Sequence, residues 1–493
     1  MVTISPSVRM RAPSRQVLDF AFMRRTFLVV GLLLLLIAPF SQDPLPFAVG
    51  CFTPWVVLSL VGTPTMPVAV IFFFIWQWAQ TFARILQSMV DGEPLAGGFY
   101  GPGVLHAYWY MLAGIVTMAV AFRLVLGNLP RPTPEDETAH LHWRPLDLFL
   151  LYCGTLVLAV AFTYATRLIP GLGQQFEAAS RLKIVAEFLL FVTVLATGRG
   201  GKLMMAAMLV EIIIGFSGLL SDFRGVFIYL AMAAIAARIA VGPTAILGGV
   251  VWFSILLSLG LFWTAVKTEY REFATGGEET QHFSVPLSER FAYLGALALS
   301  PGEINWKEAS YAMLARFAYV DIFGSVISAQ ETSRDREVVR QWGEAFDHVF
   351  KPRIFFPDKL ALSDTETYAR LTGTDPYLVL RASTSISVGY ITENYVDFGF
   401  PGMLVSMFGI GLMIAAVCRV FMRSRWLPWM VKQGIVLAFL YNIAGPGVEA
   451  SLPKLFGSIV MFFLVYLLLV KFVLPVGLKW LNTRAGTESS QPS

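Results

Sequence analysis

Cysteine is scarce in this chain and forms no pattern. The three present, Cys51, Cys153 and Cys418, each stand alone in an apolar run. No CxxC pair and no Cys/His spacing exists, which excludes a disulfide framework and a cysteine-based zinc site. Histidine is nearly as sparse, with five residues, and His140 and His142 fall in a Pro- and acid-rich linker where solvation is expected rather than metal binding. Charge is short as well. Only 14% of residues are Asp, Glu, Lys or Arg, against about 25% in a soluble domain. The net charge of +4 is small and scattered among loop edges, so no nucleic-acid surface is implied. Internal repeats and low-complexity tracts are also missing.

Hydrophobic residues make up 56% of the chain, with a mean hydropathy of +0.65. Apolar runs of roughly 17–22 residues, long enough to cross a bilayer, recur along it. We place twelve spans at 26–41, 46–62, 66–83, 105–126, 147–167, 184–198, 203–219, 225–241, 245–266, 398–418, 432–448 and 456–474. Pro54 interrupts the second and the sixth is short. The expectation is an all-α polytopic membrane protein. The run at 26–41 is followed by Ser41-Gln42-Asp43-Pro44 rather than a small-residue cleavage site, so it reads as a retained first helix. An even count puts both termini on one side. Basic residues choose the side, above all Arg419, Arg423, Arg425 and Lys432, since positive charge marks cytoplasmic loops. Residues 1–25 and the tail 475–493 are therefore expected in the cytoplasm. Helices one to nine occupy 26–266 and helices ten to twelve 398–474. The stretch 267–397 is a large outward-facing loop domain, periplasmic in a bacterium.

That stretch is the polar centre of the chain. It holds 13 Lys or Arg and 19 Asp or Glu, or 32 of the 70 charges in the whole sequence. It cannot sit in hydrocarbon unless it lines protein or water. Its many aromatics, among them Trp306, Phe317, Tyr319, Phe323 and Trp342, argue for a folded domain rather than a linker. Apolar positions at Ala309, Met313, Phe317 and Val320 recur at helical spacing and predict an amphipathic helix over 306–329; a second, more charged helix is expected over 331–350.

Cations near a membrane plane suit a lipid-linked diphosphate, whose charge has to be met just outside the hydrocarbon. Candidates are Arg224, at the outer start of the eighth span, and the loop cations Lys267, Arg271, Arg290, Arg316, Arg353, Lys359 and Arg381. Arginine offers a bidentate fork to phosphate that lysine cannot. Arg353 and Lys359 sit in the Pro-bracketed segment Pro352–Lys359, which resists helix. Glu393, just before the tenth span, is the preferred general base, because desolvation there raises a carboxyl towards working range; an anchoring role is the alternative. Asp397, with Gly399 and Gly402, reads as helix-start punctuation. Glu187 and Glu211 are expected to staple the bundle by pairing with Arg224, Arg181 or Lys183.

Three features resemble the integral-membrane O-antigen and oligosaccharide repeat-unit polymerases, the Wzy family. They are Ser221-Asp222-Phe223-Arg224-Gly225, the segment Pro352-Arg353 to Pro357-Asp358-Lys359, and Thr384-Ser385…Gly389…Glu393-Asn394-Tyr395…Phe398-Gly399…Gly402. About twelve spans with one dominant outer loop before the last three fit the same family. The resemblance implies a GT-C-like fold in a bacterial inner membrane. It implies transfer of a growing glycan from undecaprenyl diphosphate to an incoming lipid-linked repeat unit, making a polysaccharide such as O-antigen or exopolysaccharide. The partners it implies are that lipid-linked oligosaccharide, membrane lipid and a chain-length regulator, with no nucleic acid and no cofactor. Catalysis would rest on Glu393 and Arg353, with Arg224, Lys359, Arg290, Arg316, Arg381, Lys267 and Arg271 holding substrate. The first outer loop, Ser41–Leu45, carries no DxD-type acid pair, which argues for a metal-independent mechanism. Related O-antigen ligases use a periplasmic histidine; only His282 and His348 stand in the loop here, without a matching motif. A flippase is the competing class, but such carriers usually show inverted repeats, and none is present.

Overall fold

The computed structural model describes residues 16–98, 101–217, 222–276, 284–332, 340–351, 356, 359, 363–375, 386–445 and 447–486. Among these the protein is helical throughout, with no strand beyond one isolated bridge between Val17 and Ala240. In chain order the helices are α1 (Phe20–Leu35), α2 (Pro44–Val61), α3 (Ala69–Asp91), α4 (Gly103–Leu126), α5 (Pro134–Thr138), α6 (Pro145–Leu168), α7 (Gly173–Ser180), α8 (Leu182–Thr197), α9 (Gly201–Ser217) and α10 (Arg224–Ala236). They continue with α11 (Pro243–Thr275), α12 (Leu287–Leu299), α13 (Trp306–Phe317), α14 (Val320–Thr332), α15 (Gln341–Phe350), α16 (Asp364–Thr372), α17 (Tyr390–Met422), α18 (Trp429–Ala444), α19 (Leu452–Leu468) and α20 (Leu474–Gly486).

A helix stands at each of the twelve expected spans. Among the described residues seven are long and apolar enough to cross a membrane: α2, α3, α4, α6, α11, α17 and the continuous run from α19 through α20. The count is eight if the bent pair α13–α14 is one span. The remaining segments, α1, α8, α9, α10 and α18, have 13–17 residues. At 1.5 Å per residue they fall short of the roughly 30 Å hydrocarbon core. These features are those of a polytopic membrane protein. Apolar side chains lie on the outside of several helices; in the apolar window of α11 no residue is buried within the protein.

Contacts sort the helix ends into two layers. At one end Val241 donates to the Gln16 carbonyl, Arg238 pairs with Glu137, Thr193 donates to the His140 carbonyl, and Trp143 donates to Asn482. Arg484 pairs with Asp147 in the same layer. Both described chain ends therefore lie at one end of the bundle. His140, expected to be solvated, is buried there. That burial holds its imidazole down at about 4.

The opposite end carries the described parts of 267–397. Their boundaries differ from the expectation. α11 runs through 267 to Thr275, and α17 begins at Tyr390 with a kink at Gly399–Phe400. The expected helix over 306–329 is two helices bent by 59°. α14 packs closely on α4: a Cβ added at Gly324 would come within 2.7 Å of the Val104 backbone. Arg84, which the spans leave in a loop, lies inside α3, because that helix continues to Asp91. It is buried in an ion pair of 2.6 Å with Asp321 of α14. The polar stretch is thus fastened into the bundle rather than perched on it.

Candidate functional site

Four of the expected cations gather at this end. Lys267 and Arg271 lie one helical turn apart on α11, and Arg316 of α13 is near enough for its charge to act on both. Neither Lys267 nor Arg316 makes an ion pair within 4 Å among the described residues. Arg316 also acts, together with Arg224, on Glu449, which ends a short helical turn at Gly447–Glu449.

Arg224 opens α10 and is held on three sides. Its Nη2 donates to the Gly445 carbonyl at 2.9 Å. Its guanidinium lies 5.2 Å from the Trp76 ring, which meets Phe317 edge-on at 4.9 Å. Asp222 stands 3.9 Å from its Nε and also accepts from the Tyr441 hydroxyl. The side chain keeps 40% of its surface exposed, so donors remain on offer.

Glu449 was not among the candidates. Gln80 of α3 clamps its turn: the amide nitrogen donates to Glu449 Oε1 at 3.3 Å, and the amide oxygen accepts from Val448 N–H at 3.0 Å. Burial raises the Glu449 carboxyl above the ordinary carboxylate range, and the Arg224 and Arg316 charges oppose that rise. A carboxyl so placed holds a proton more readily than an ordinary one, which suits a general base. The only local signal was an acid directly after Gly445-Pro446-Gly447-Val448.

Glu393 sits elsewhere. It is buried, and its Oε2 accepts from the Leu452 N–H at the start of α19. Ser451 holds the capping position there without a side-chain cap bond, so Glu393 serves from another helix. Asp397, one turn further along α17, does the same for α15: its two oxygens accept from Gln341 and Trp342 N–H, both at 2.8 Å. It punctuates a helix start, but not that of its own helix. Gly389 precedes α17 at φ +83°, where a Cβ would lie 2.2 Å from the Val448 carbonyl oxygen. Only glycine fits that approach. It lets 387–393 lie against 448–452, with Tyr319 donating to the Ser387 carbonyl and feeling the charges of both Glu449 and Glu393.

The other candidates disperse. The Lys359 ammonium donates to the carbonyls of His348 and Lys351. Arg290 is buried on α12, which packs against α11 and α9. Arg353 and Arg381 lie outside the described residues. Of the interior acids, Glu211 pairs with Lys183 at 2.6 Å and accepts from Tyr152 at 2.9 Å. Both oxygens of Glu187 are buried without a hydrogen-bond partner. Among the described residues no group of three or more His, Cys, Asp or Glu is placed to hold a metal ion.

No protein-family model matches the chain, and neither the curated proteins nor the solved structures contain a match.

Proposed function

We propose that the protein is a membrane glycosyltransferase, a polysaccharide polymerase acting on oligosaccharide repeat units linked to undecaprenyl diphosphate, with its site at the periplasmic face of a bacterial inner membrane. The observation that carries this is the gathering of Lys267, Arg271 and Arg316 at the end of α11. Lys267 and Arg316 make no ion pair among the described residues, and like charges brought close repel one another unless an anion offsets them. The apolar part of α11 is unburied, so an anion that reaches them along this helix has a hydrocarbon tail. A lipid-linked diphosphate satisfies both conditions.

In the proposed reaction an acceptor-sugar hydroxyl attacks the anomeric carbon of the carrier-linked glycan. The bond from that carbon to the diphosphate oxygen breaks, and its electron pair leaves with the diphosphate. The cations, Arg224 among them, meet that charge. The hydroxyl proton passes to a carboxylate. We assign this base to Glu449 in preference to Glu393, because Glu449 shares the surroundings of two of the cations and Glu393 is occupied at the start of α19. The site thus draws on cations rather than on a metal ion. Twelve crossings, a GT-C-like arrangement and cytoplasmic termini belong to the same proposal, as do a chain-length partner and the family resemblance.

One observation favours a carrier instead. A buried carboxyl with no partner, such as Glu187, is a recurrent feature of ion-coupled transport. Reconstitution with a lipid-diphosphate oligosaccharide separates the classes. A polymer ladder supports the proposal, a single transfer indicates a ligase, and a change of sidedness without new bonds indicates a flippase.

A further inference from the structure

A cavity of about 540 Å³ opens at the same end of the bundle between the end of α6, α7, α15 and α19. Its size falls in the range usual for small-ligand sites, about 300–1,000 Å³. Its lining differs in kind from the cationic site. Thr163 and Thr166 present hydroxyls whose protons go to backbone carbonyls at 2.9 and 2.7 Å, leaving oxygens able to accept. The Gln174 side chain makes no hydrogen bond among the described residues, and the side-chain oxygen of Gln175 is buried without a partner. Phe176 lies flat against Phe162, with ring centroids 5.6 Å apart and planes at 16°.

The charges at its rim are already engaged. Glu177 is taken by Arg181 at 3.1 Å, and the Lys359 ammonium by two carbonyls. A phosphate would find no cation on offer. An unmet amide carbonyl, a second amide, hydroxyls and a flat aromatic wall instead match a neutral, hydroxyl-rich ring. The rim also leads towards the cationic site. Arg181 donates to Asn442 at 3.2 Å, and the neighbouring Tyr441 donates to Asp222 beside Arg224.

We propose that this cavity binds an uncharged sugar residue of the glycan. The choice of a glycan rests on the glycosyltransferase proposal. Gly457 of α19 keeps the cavity open: a Cβ there would meet nothing nearer than the Gln174 amide at 3.8 Å. Gly457→Phe therefore fills the cavity from a helical position that tolerates a side chain.

The test uses the full chain in phosphatidylethanolamine/phosphatidylglycerol nanodiscs. Saturation-transfer NMR is recorded with methyl glycosides of hexoses, N-acetylhexosamines and 6-deoxyhexoses. At least one glycoside should receive transfer at its ring protons. That signal should fall at least tenfold in Gly457→Phe and in the double variant Gln174→Ala, Gln175→Ala, with thermal unfolding unchanged. Should Gly457→Phe not fold, the double variant decides alone. No transfer to any glycoside overturns the inference, as does transfer that survives in the folded variants. Glycoside binding without polymer formation would leave the cavity standing and remove the polymerase. Polymer formation with no glycoside binding would do the reverse.

Discussion

Two carboxylates at this end of the bundle should respond in opposite ways to the same small change. Glu449→Gln retains the shape of the side chain and an oxygen for the Gln80 amide, but it removes basicity. General-base help contributes typically 10²–10⁴-fold. Turnover should therefore drop at least about 100-fold, equivalent to about 2.7 kcal/mol at 1.36 kcal/mol per factor of ten. Glu393→Gln instead weakens the cap on Leu452 N–H at a helix whose own Ser451 gives no cap bond. That should cost about 1 kcal/mol of stability and leave turnover little changed. The assays are polymer formation in proteoliposomes and thermal unfolding in detergent, run on both variants. Burial raises the Glu449 carboxyl, so the acid limb of the wild-type rate profile should lie above the ordinary carboxylate range and vanish in Glu449→Gln. The sign for stability is the reverse of the usual acid. A raised folded value means the stabilising protonated form is fully present below 4.5 and is lost as pH rises through the folded value. Glu449→Gln should thus unfold no earlier than wild type at neutral pH. Normal turnover in Glu449→Gln, or a stable but inactive Glu393→Gln, would refute the assignment.

Two further expectations concern the scaffold. Asp321→Ala leaves Arg84 buried without its partner and should cost about 3–5 kcal/mol, whereas Arg84→Met with Asp321→Leu should recover most of that loss; detergent-solubilised unfolding midpoints measure both. His140 is buried in its neutral form, with a folded value of about 4 against 6.5. Its stabilising contribution is present above pH 6.5 and is lost as pH falls towards 4, so unfolding midpoints should drop over that window and His140→Phe should flatten the drop.

Helix positions were legible because each apolar run is local information, and a helix stands at every expected span. Span lengths were less so. Arg84 and Lys267 read as loop residues since charge ends an apolar window, yet the helices continue past both. The bend between Phe317 and Val320 has no breaker residue in the sequence; α14 is turned by its packing on α4 and by Asp321 reaching Arg84. The anchoring role was an open alternative for Glu393, but which helix it or Asp397 would serve was hidden for a related reason. Glu393 and Asp397 serve helices that begin 59 and 56 residues away, and pairing over such separations leaves no spacing rule to read. The cations Arg224, Lys267, Arg271 and Arg316 could be singled out from residue type and membrane proximity. The approach of Arg316 to Lys267 and Arg271, and of Arg224 and Arg316 to Glu449, depends on how α3, α10, α11 and α13 pack.

The central claim is that Lys267, Arg271 and Arg316 hold the diphosphate of a lipid. It is tested most directly by binding of undecaprenyl diphosphate to the full chain in nanodiscs, measured by native mass spectrometry against phosphatidylglycerol as competitor. Wild-type protein should form a saturable 1:1 complex, and the folded double variant Lys267→Ala, Arg316→Ala should bind at least tenfold more weakly. Equal binding by the two proteins would contradict it.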